Sequence, residues 1–183
     1  SYGLYVCTAP SGLPKDHPYL EIVLQAIAAG IVVVFAAGNN HAGGLCKHDP
    51  KKCTPNSIWG VNSVDQVMSV GTVNWDNKMD SGEHANSSRG PGQWASAHKK
   101  PDVVAPTYGE VIWGSGYQVM EWWGTSGACP QVAGLAALIL GLDPTLKPDQ
   151  VADIIRATSR DIQLPKACAG TGLIDCEAAV GRL

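Results

Sequence analysis

Residues 19–36 read YLEIVLQAIAAGIVVVFA, and this stretch indicates how the fold is layered. In its first half, apolar residues recur at helical spacing, at Leu20, Val23, Leu24 and Ile27. Gly30 then stands where a helix commonly ends in a left-handed conformation. Residues 31–36 form a continuous apolar, largely β-branched run, which is typical of a strand covered on both faces in a parallel sheet. A helix followed at once by a buried strand predicts a layered α/β fold.

The same reasoning predicts the other elements along the chain. Short strands are expected at residues 67–73 and 102–105, with a hairpin of residues 111–113 and 118–122 around a glycine-rich turn. Residues 125–140 are small and apolar nearly all round, which predicts a buried helix. Further helices are expected from Pro148 and over residues 176–180. We find no repeat or change in composition, so residues 1–183 are expected to form a single domain or part of one.

The composition excludes several classes of function. The 183 residues are 45% hydrophobic and 16% charged, which is enough apolar material for one core. A net charge of -3 without a long basic run predicts no nucleic-acid partner. The longest apolar stretches fall short of the roughly 20 residues that span a bilayer, so we expect no membrane span. The first residues lack the order of a signal peptide, and we expect the gene to begin upstream of Ser1.

Six cysteines are many for a cytosolic enzyme of this size. Four of them form two close pairs in polar or glycine-rich loops, for which we predict two local disulfides, Cys46 with Cys53 and Cys168 with Cys176. Buried thiols are the alternative. Cys7 and Cys129 stand in more apolar surroundings and are expected to be free. Disulfides persist in oxidising compartments, so the cysteines indicate a secreted or periplasmic protein.

The strongest chemical signal is a serine among small residues where the predicted buried helix begins. The stretch reads Gly124-Thr125-Ser126-Gly127-Ala128-Cys129-Pro130-Gln131-Val132-Ala133-Gly134. A serine at a helix N-terminus lies beside backbone N–H groups and the positive end of the helix dipole, which stabilise an oxyanion. The alternative is that Ser126 is only the N-cap of the helix. Cys129 could also be a thiol nucleophile, although packing is the preferred interpretation.

This stretch resembles the active-site serine signature of the subtilases, and it meets each fixed position of that signature. The resemblance implies that Ser126 is the nucleophile of a serine endopeptidase. Phe35-Ala36-Ala37-Gly38-Asn39-Asn40 resembles the Ala-Ala-Gly-Asn segment of the family, whose asparagine donates a side-chain N–H to the oxyanion hole. Asn39 is accordingly expected in that role, and it also follows a buried strand, where ligands bind in α/β folds. As an isolated residue, Asn39 would more often be a turn residue.

Further resemblances follow in the family's order and cover nearly the whole chain. Residues 87–91 match a loop, residues 100–106 a strand entering the core, and residues 171–176 the end of the catalytic domain; Thr107 departs from a common glycine. The implied fold class is α/β, a three-layer subtilisin-like fold with a mostly parallel central sheet. The resemblance implies two edges that bind the substrate backbone, Ser1-Tyr2-Gly3 and Ala36-Ala37-Gly38. For so short a motif as the first, a structural role is about equally favoured.

A serine nucleophile needs a histidine base and a carboxylate that orients it. In subtilases both precede the oxyanion asparagine by more than the 38 residues present here, and none of the five histidines has the His-Gly-Thr context. Residues 1–183 are therefore interpreted as the C-terminal portion of one peptidase domain. The expected partners are a polypeptide substrate, an N-terminal fragment of the same precursor that carries the aspartate and histidine, and a propeptide inhibitor.

The predicted function is hydrolysis of peptide bonds through an acyl-enzyme at Ser126, with Asn39 in the oxyanion hole. The alternative is a non-catalytic pseudoprotease or peptide-binding subunit, which would lack the histidine or aspartate in its partner fragment. No cofactor and no metal-binding residue are predicted. The resemblance allows structural calcium, but its loops cannot be matched to residues of this chain.

Overall fold

The computed structural model describes residues 14–43, 46–96, 99–121 and 124–183. Ser1, Tyr2, Gly3 and Cys7, on which predictions fall, lie outside this part. The described helices are α1 (Pro18–Ala28), α2 (Gly82–Asn86), α3 (Thr125–Leu142), α4 (Pro148–Thr158), α5 (Lys166–Ala169) and α6 (Cys176–Val180), with a 3₁₀ turn at Gly60–Ser63. The strands are β1 (Val34–Ala36), β2 (Met68–Val73), β3 (Val103–Pro106), β4 (Tyr108–Trp113) and β5 (Gly116–Glu121).

The central sheet is parallel and has the order β1-β2-β3. Phe35 pairs with Ser69, and Gly71 pairs with Val104. On the far side of β3 the chain continues the sheet through an isolated bridge, because Leu173 pairs with Val104 in a parallel sense. The predicted closing segment 171–176 thus lies beside β3, and within the described residues the open side of the sheet is that of β1.

Helices cover the sheet on both faces, which confirms the predicted three-layer α/β fold. Alternate residues of a strand point to opposite faces. Accordingly, Val34 packs with α3, α4 and α6 in one apolar cluster, whereas Val33 and Phe35 pack against α1 and the 3₁₀ turn in another. The alternation in one short strand therefore joins both layers to the sheet.

Two elements differ from the prediction in their extent or burial. The predicted strand at 31–36 is regular only over Val34–Ala36, and Ile31 is 55% exposed. Helix α3 is not buried all round: Val132, Leu135 and Ile139 are in the core, but Leu138 and Leu142 are each 59% exposed. Composition indicated an apolar helix correctly, yet one side of it has no cover from the described residues.

Helix α3 has the length and composition of a membrane span, and 44% of its 18 residues are buried inside the protein. A core helix passes the same test of length and hydropathy, and α3 contacts all three strands of the central sheet. Its apolar composition is accounted for on the core side by this packing.

The stretch 100–106 enters the core with a buried ionic group. Lys100 and Asp102 are fully buried, and the Lys100 ammonium lies 2.6 Å from the Asp102 carboxylate. Arg156 of α4 donates to the other carboxylate oxygen at 2.9 Å, and the Ser69 backbone N–H donates to Asp102 at 2.7 Å. Burial lowers the pKa of Lys100 from its ordinary value. These contacts fix α4 against β2 and β3.

Both predicted disulfides are wrong. Cys53 is bonded to Cys168, 115 residues away, and Cys176 is a free, exposed thiol. Cys46 is also in a disulfide, but not with Cys53. The sequence favoured short loops because proximity along the chain was the only available measure, whereas the fold brings the loop after β1 against α5. Cys129 is free, as predicted.

Candidate active site

Ser126 is the second residue of α3, and its side chain is exposed. The N-cap of the helix is Gly124, not Ser126, so the interpretation of Ser126 as a cap is wrong. The backbone N–H groups in the first turn of a helix have no partner within the helix, and they lie at the positive end of the helix dipole. Ser126 therefore combines an exposed hydroxyl with the electrostatic field of a helix N-terminus.

Asn39 follows β1 and reaches across to the start of α3. Its amide oxygen accepts hydrogen bonds from the backbone N–H and the hydroxyl of Thr125, both at 3.0 Å. A backbone N–H can only donate, so the atom of Asn39 that faces it must be the oxygen. Because Thr125 precedes Ser126, these contacts hold the Asn39 side chain, with its NH2 donor, against the residue next to Ser126.

Gly124 makes this approach possible. A Cβ at this position would lie 2.4 Å from the Asn39 amide oxygen and 2.8 Å from its Cγ. The backbone of Gly124 also has a φ of 57°, which residues other than glycine rarely adopt. Both the space and the backbone conformation at the entrance to α3 thus require glycine.

Thr107 fixes the other side of Gly124. Its buried hydroxyl donates to the Gly124 carbonyl at 2.9 Å. From the sequence, Thr107 is only a departure from glycine, because a hydrogen bond across 17 residues has no local signal. Thr107 is a positioning residue for the turn that presents Ser126.

The predicted substrate edge 36–38 is held on both sides. The Ala37 backbone N–H donates to Val70 of β2 at 2.8 Å, and Asn62 donates its side-chain amide to the Ala36 carbonyl at 2.8 Å. Ser88 donates its backbone N–H to the Gly38 carbonyl at 2.8 Å, while its hydroxyl accepts from the Asn40 N–H at 3.0 Å. The segment that ends in Asn39 is therefore rigidly placed.

Comparison with known proteins identifies the family. The profile of the subtilase family, Peptidase_S8, matches residues 5–172. Subtilisin DY from Bacillus licheniformis is 32% identical over 178 residues, which are 97% of this chain and 57% of that protein. The chain belongs to the subtilase family.

Two further proteins place this subtilase among its relatives. Serine protease AprX from Bacillus subtilis (strain 168) is 30% identical over 91% of this chain and 39% of its own length. A solved protease structure from Pseudoalteromonas arctica PAMC 21717 has a TM-score of 0.63 and 24% identity, covering 96% of this chain and 55% of that one. This structure supports the fold. The subtilase chain spans about half the length of the relatives or less.

Several histidines of this subtilase have structural partners. His17 is the N-cap of α1, and its ring accepts from the Tyr19 N–H at 3.2 Å. His84 is buried and lies 3.4 Å from the Thr72 hydroxyl. His41 is fully buried and donates to the Asp49 carbonyl at 3.1 Å. His98 lies outside the described residues. These contacts agree with structural roles for His17, His41 and His84.

His41 belongs to a group of buried polar residues beside the candidate site. Burial first, and then the nearby Arg89 guanidinium, lower the pKa of His41 to about 4. Arg89 is 1% exposed and donates to the carbonyls of Pro50, Lys52 and Met79. Burial lowers the pKa of Arg89 to about 10. We define this group, His41 with Arg89 and its carbonyl partners, as the arginine cluster.

Cys129 does not have the properties of a nucleophile in this subtilase. Its thiol is buried, contacts the Val34 carbonyl at 3.6 Å, and has a pKa raised to about 11 by burial. A reactive cysteine instead needs a lowered pKa and exposure. Packing is therefore its role, as predicted.

Among residues 14–43, 46–96, 99–121 and 124–183, no group of three or more His, Cys, Asp or Glu side chains could hold a metal ion. Subtilases commonly bind structural calcium, whose ligands include backbone and amide carbonyl oxygens as well as carboxylates.

Proposed function

We propose that this chain supplies the nucleophile and the oxyanion hole of a secreted serine endopeptidase. The observation that carries the proposal is the contact of Asn39 with Thr125, which holds a side-chain NH2 donor beside an exposed serine at a helix N-terminus. Asn39 and Ser126 are 87 positions apart in the sequence, so their neighbourhood is a property of the fold and supports a joint role.

In the proposed reaction, the Ser126 hydroxyl oxygen attacks the carbonyl carbon of a peptide bond and gives its proton to a histidine. The resulting oxyanion accepts hydrogen bonds from the Asn39 NH2 and the Ser126 backbone N–H. Collapse of this intermediate breaks the C–N bond and transfers the histidine proton to the leaving amine. Water then attacks the carbonyl carbon of the acyl-enzyme and gives a proton to the histidine. The second oxyanion intermediate collapses, which breaks the ester bond to Ser126 and returns the proton to the Ser126 oxygen.

The histidine and its aspartate are proposed to come from an N-terminal portion of the same peptidase domain, in one chain or as a cleaved fragment. The exposed side of α3 supports this, since Leu138 and Leu142 are large apolar residues without cover from described residues. Within the described residues, β1 also has no strand neighbour on its outer side, and it leads towards Asn39. An N-terminal portion that pairs with β1 would lie beside the proposed oxyanion donor.

Substrate binding is proposed to use the edge Ala36-Ala37-Gly38 together with Ser1-Tyr2-Gly3. The first edge ends at Asn39, so a peptide backbone laid along it would place a carbonyl near the oxyanion donors. A propeptide inhibitor would occupy the same edges. The Cys53–Cys168 disulfide supports a secreted or periplasmic location, because such bonds persist in oxidising compartments.

The test is peptide hydrolysis by the protein that contains its N-terminal portion. Ser126→Ala is expected to abolish turnover. Asn39→Leu, which removes the oxyanion donor, is expected to lower kcat by about 10²–10³-fold with little change in KM. Ser115→Ala, in the exposed hairpin turn, is the control and should retain full activity. Hydrolysis that survives Ser126→Ala would refute the proposal.

A further inference from the structure

An exposed aromatic surface lies beside the candidate active site. Trp75, which is 70% exposed, stacks on Tyr108 with ring centroids 4.3 Å apart and planes inclined by 20°. Ile112 and Tyr117 are 71% and 79% exposed and stand directly opposite each other in the β4–β5 hairpin. We call these four residues the aromatic surface.

The four side chains share one face. Tyr108 and Ile112 are four residues apart on β4, so both point to the same side of the hairpin, and Tyr117 joins them as the cross-strand partner of Ile112. Trp75 extends this face from the loop after β2 by stacking on Tyr108. Large exposed apolar side chains grouped in this way mark interaction sites more often than scattered ones do.

Hydrogen bonds connect this surface directly to the start of α3. The Gln131 side-chain amide donates to the Tyr108 carbonyl at 3.0 Å and to the Gly127 carbonyl at 3.2 Å. Thr107, the residue before Tyr108, donates to Gly124. The aromatic surface therefore begins at the backbone that frames Ser126, and its position relative to the nucleophile is fixed.

The dimensions suit an extended polypeptide. From Tyr108 to Ile112 the strand rises about 13 Å, at roughly 3.3 Å per residue, which is the length of about four residues of a bound extended peptide. Aromatic side chains provide large, rigid contact areas and dominate the binding energy of peptide interfaces. A polypeptide whose carbonyl lies at Ser126 can thus extend over this face.

We propose that the aromatic surface is a specificity subsite, which binds a large apolar or aromatic residue of the polypeptide substrate a few positions from the scissile bond. This inference rests on the proposed endopeptidase function and adds a substrate preference to it. Trp75 and Tyr108 form the part nearest to Ser126, and Ile112 and Tyr117 form the distal part.

The test uses the protein with its N-terminal portion and a library of internally quenched peptides, varied singly at four positions on each side of the scissile bond. The parent protein is expected to prefer large apolar residues at one of these positions. Trp75→Ala should lower kcat/KM for those peptides by about tenfold, through KM, and leave peptides with alanine there unchanged. Trp75→Phe should restore most of the preference.

Ile22→Ala is the matched control, because Ile22 is a similarly exposed apolar residue on α1. This variant should leave kcat/KM unchanged for every peptide in the library. A parent protein that cleaves peptides but shows no preference, or a Trp75→Ala variant that affects all peptides equally, would overturn the subsite and leave the endopeptidase function standing. A parent protein that cleaves none of the peptides would overturn both.

Discussion

Two neighbouring regions of this subtilase are held together by opposite means, and Ser88 and Arg89 mark the boundary between them. On the side of Ser88, the candidate site is fixed by neutral amides, hydroxyls and the absence of a side chain at Gly124. On the side of Arg89, the arginine cluster is fixed by a buried guanidinium and lies close to a disulfide. The first region depends on shape, whereas the second also depends on charge and oxidation state.

Gly124→Ala is expected to have the largest effect, because its Cβ would overlap the Asn39 amide. Displacement of that donor should lower kcat/KM by about 10²–10³-fold, the loss typical of an oxyanion-hole donor. The rate of peptide hydrolysis at several substrate concentrations measures this loss in kcat/KM. Gly82→Ala is the matched control, since Gly82 has the same φ of 57° and a Cβ there meets nothing within 4 Å; it should retain activity. Equal activities of the two variants would contradict a site that depends on clearance at Gly124.

Loss of the long-range disulfide should affect stability rather than the reaction. Replacing Cys53 and Cys168 by alanine is expected to lower the free energy of unfolding by about 3–5 kcal/mol, because the bond joins residues 115 positions apart. Urea denaturation measures this change. Cys176→Ala removes a free, exposed thiol and should change stability by less than about 0.5 kcal/mol. A reductant should destabilise the parent protein more than the double variant, in which the disulfide of Cys46 remains.

Arg89→Met is expected to be the next largest change. The carbonyls of Pro50, Lys52 and Met79 would lose a buried donor, which should cost about 2 kcal/mol in the free energy of unfolding. Arg160→Met is the control, because the Arg160 side chain is 63% exposed and its ion pair with Asp175 is long, at 3.7 Å. Loss of this pair should cost less than about 1 kcal/mol in the free energy of unfolding. Similar losses in both variants would show that burial of Arg89 is not important.

A dependence of the free energy of unfolding on pH is also expected. Because the folded-state pKa of His41 is about 4, below the ordinary 6.5, the unfolded chain binds the proton first as pH falls. The His41 contribution is thus present above about pH 6.5 and decreases towards pH 4, by at most about 1.4 kcal/mol per pH unit. In urea denaturation between pH 7 and 4.5, the free energy of unfolding should change less with pH in His41→Gln than in His17→Gln. Identical slopes would refute this.

The sequence predicted the elements that depend on local pattern. The helical spacing before Gly30, the apolar run of β2 and the hairpin around Gly114 gave α1, β2 and the β4–β5 pair with errors of a few residues at their ends. The motifs also predicted that Asn39 and Ser126 act together, and the structure brings their segments into contact.

The sequence could not predict features that depend on distant segments. The Cys53–Cys168 bond, the Thr107 hydrogen bond and the exposed side of α3 each depend on which segments pack together. Trp75 stands among the polar residues Asn74, Asp76 and Asn77, so nothing nearby indicated that it would stack on Tyr108. Local periodicity contains no information about such partners.

The most direct measurement is the reaction of the protein with a serine-directed phosphonate, followed by intact mass and peptide mapping of all chains present. We expect a single phosphonyl group on Ser126 in the protein that contains its N-terminal portion, and none in the Gly124→Ala variant over the same time. A folded protein with this portion in which Ser126 remains unlabelled would contradict the nucleophile and leave a pseudoprotease.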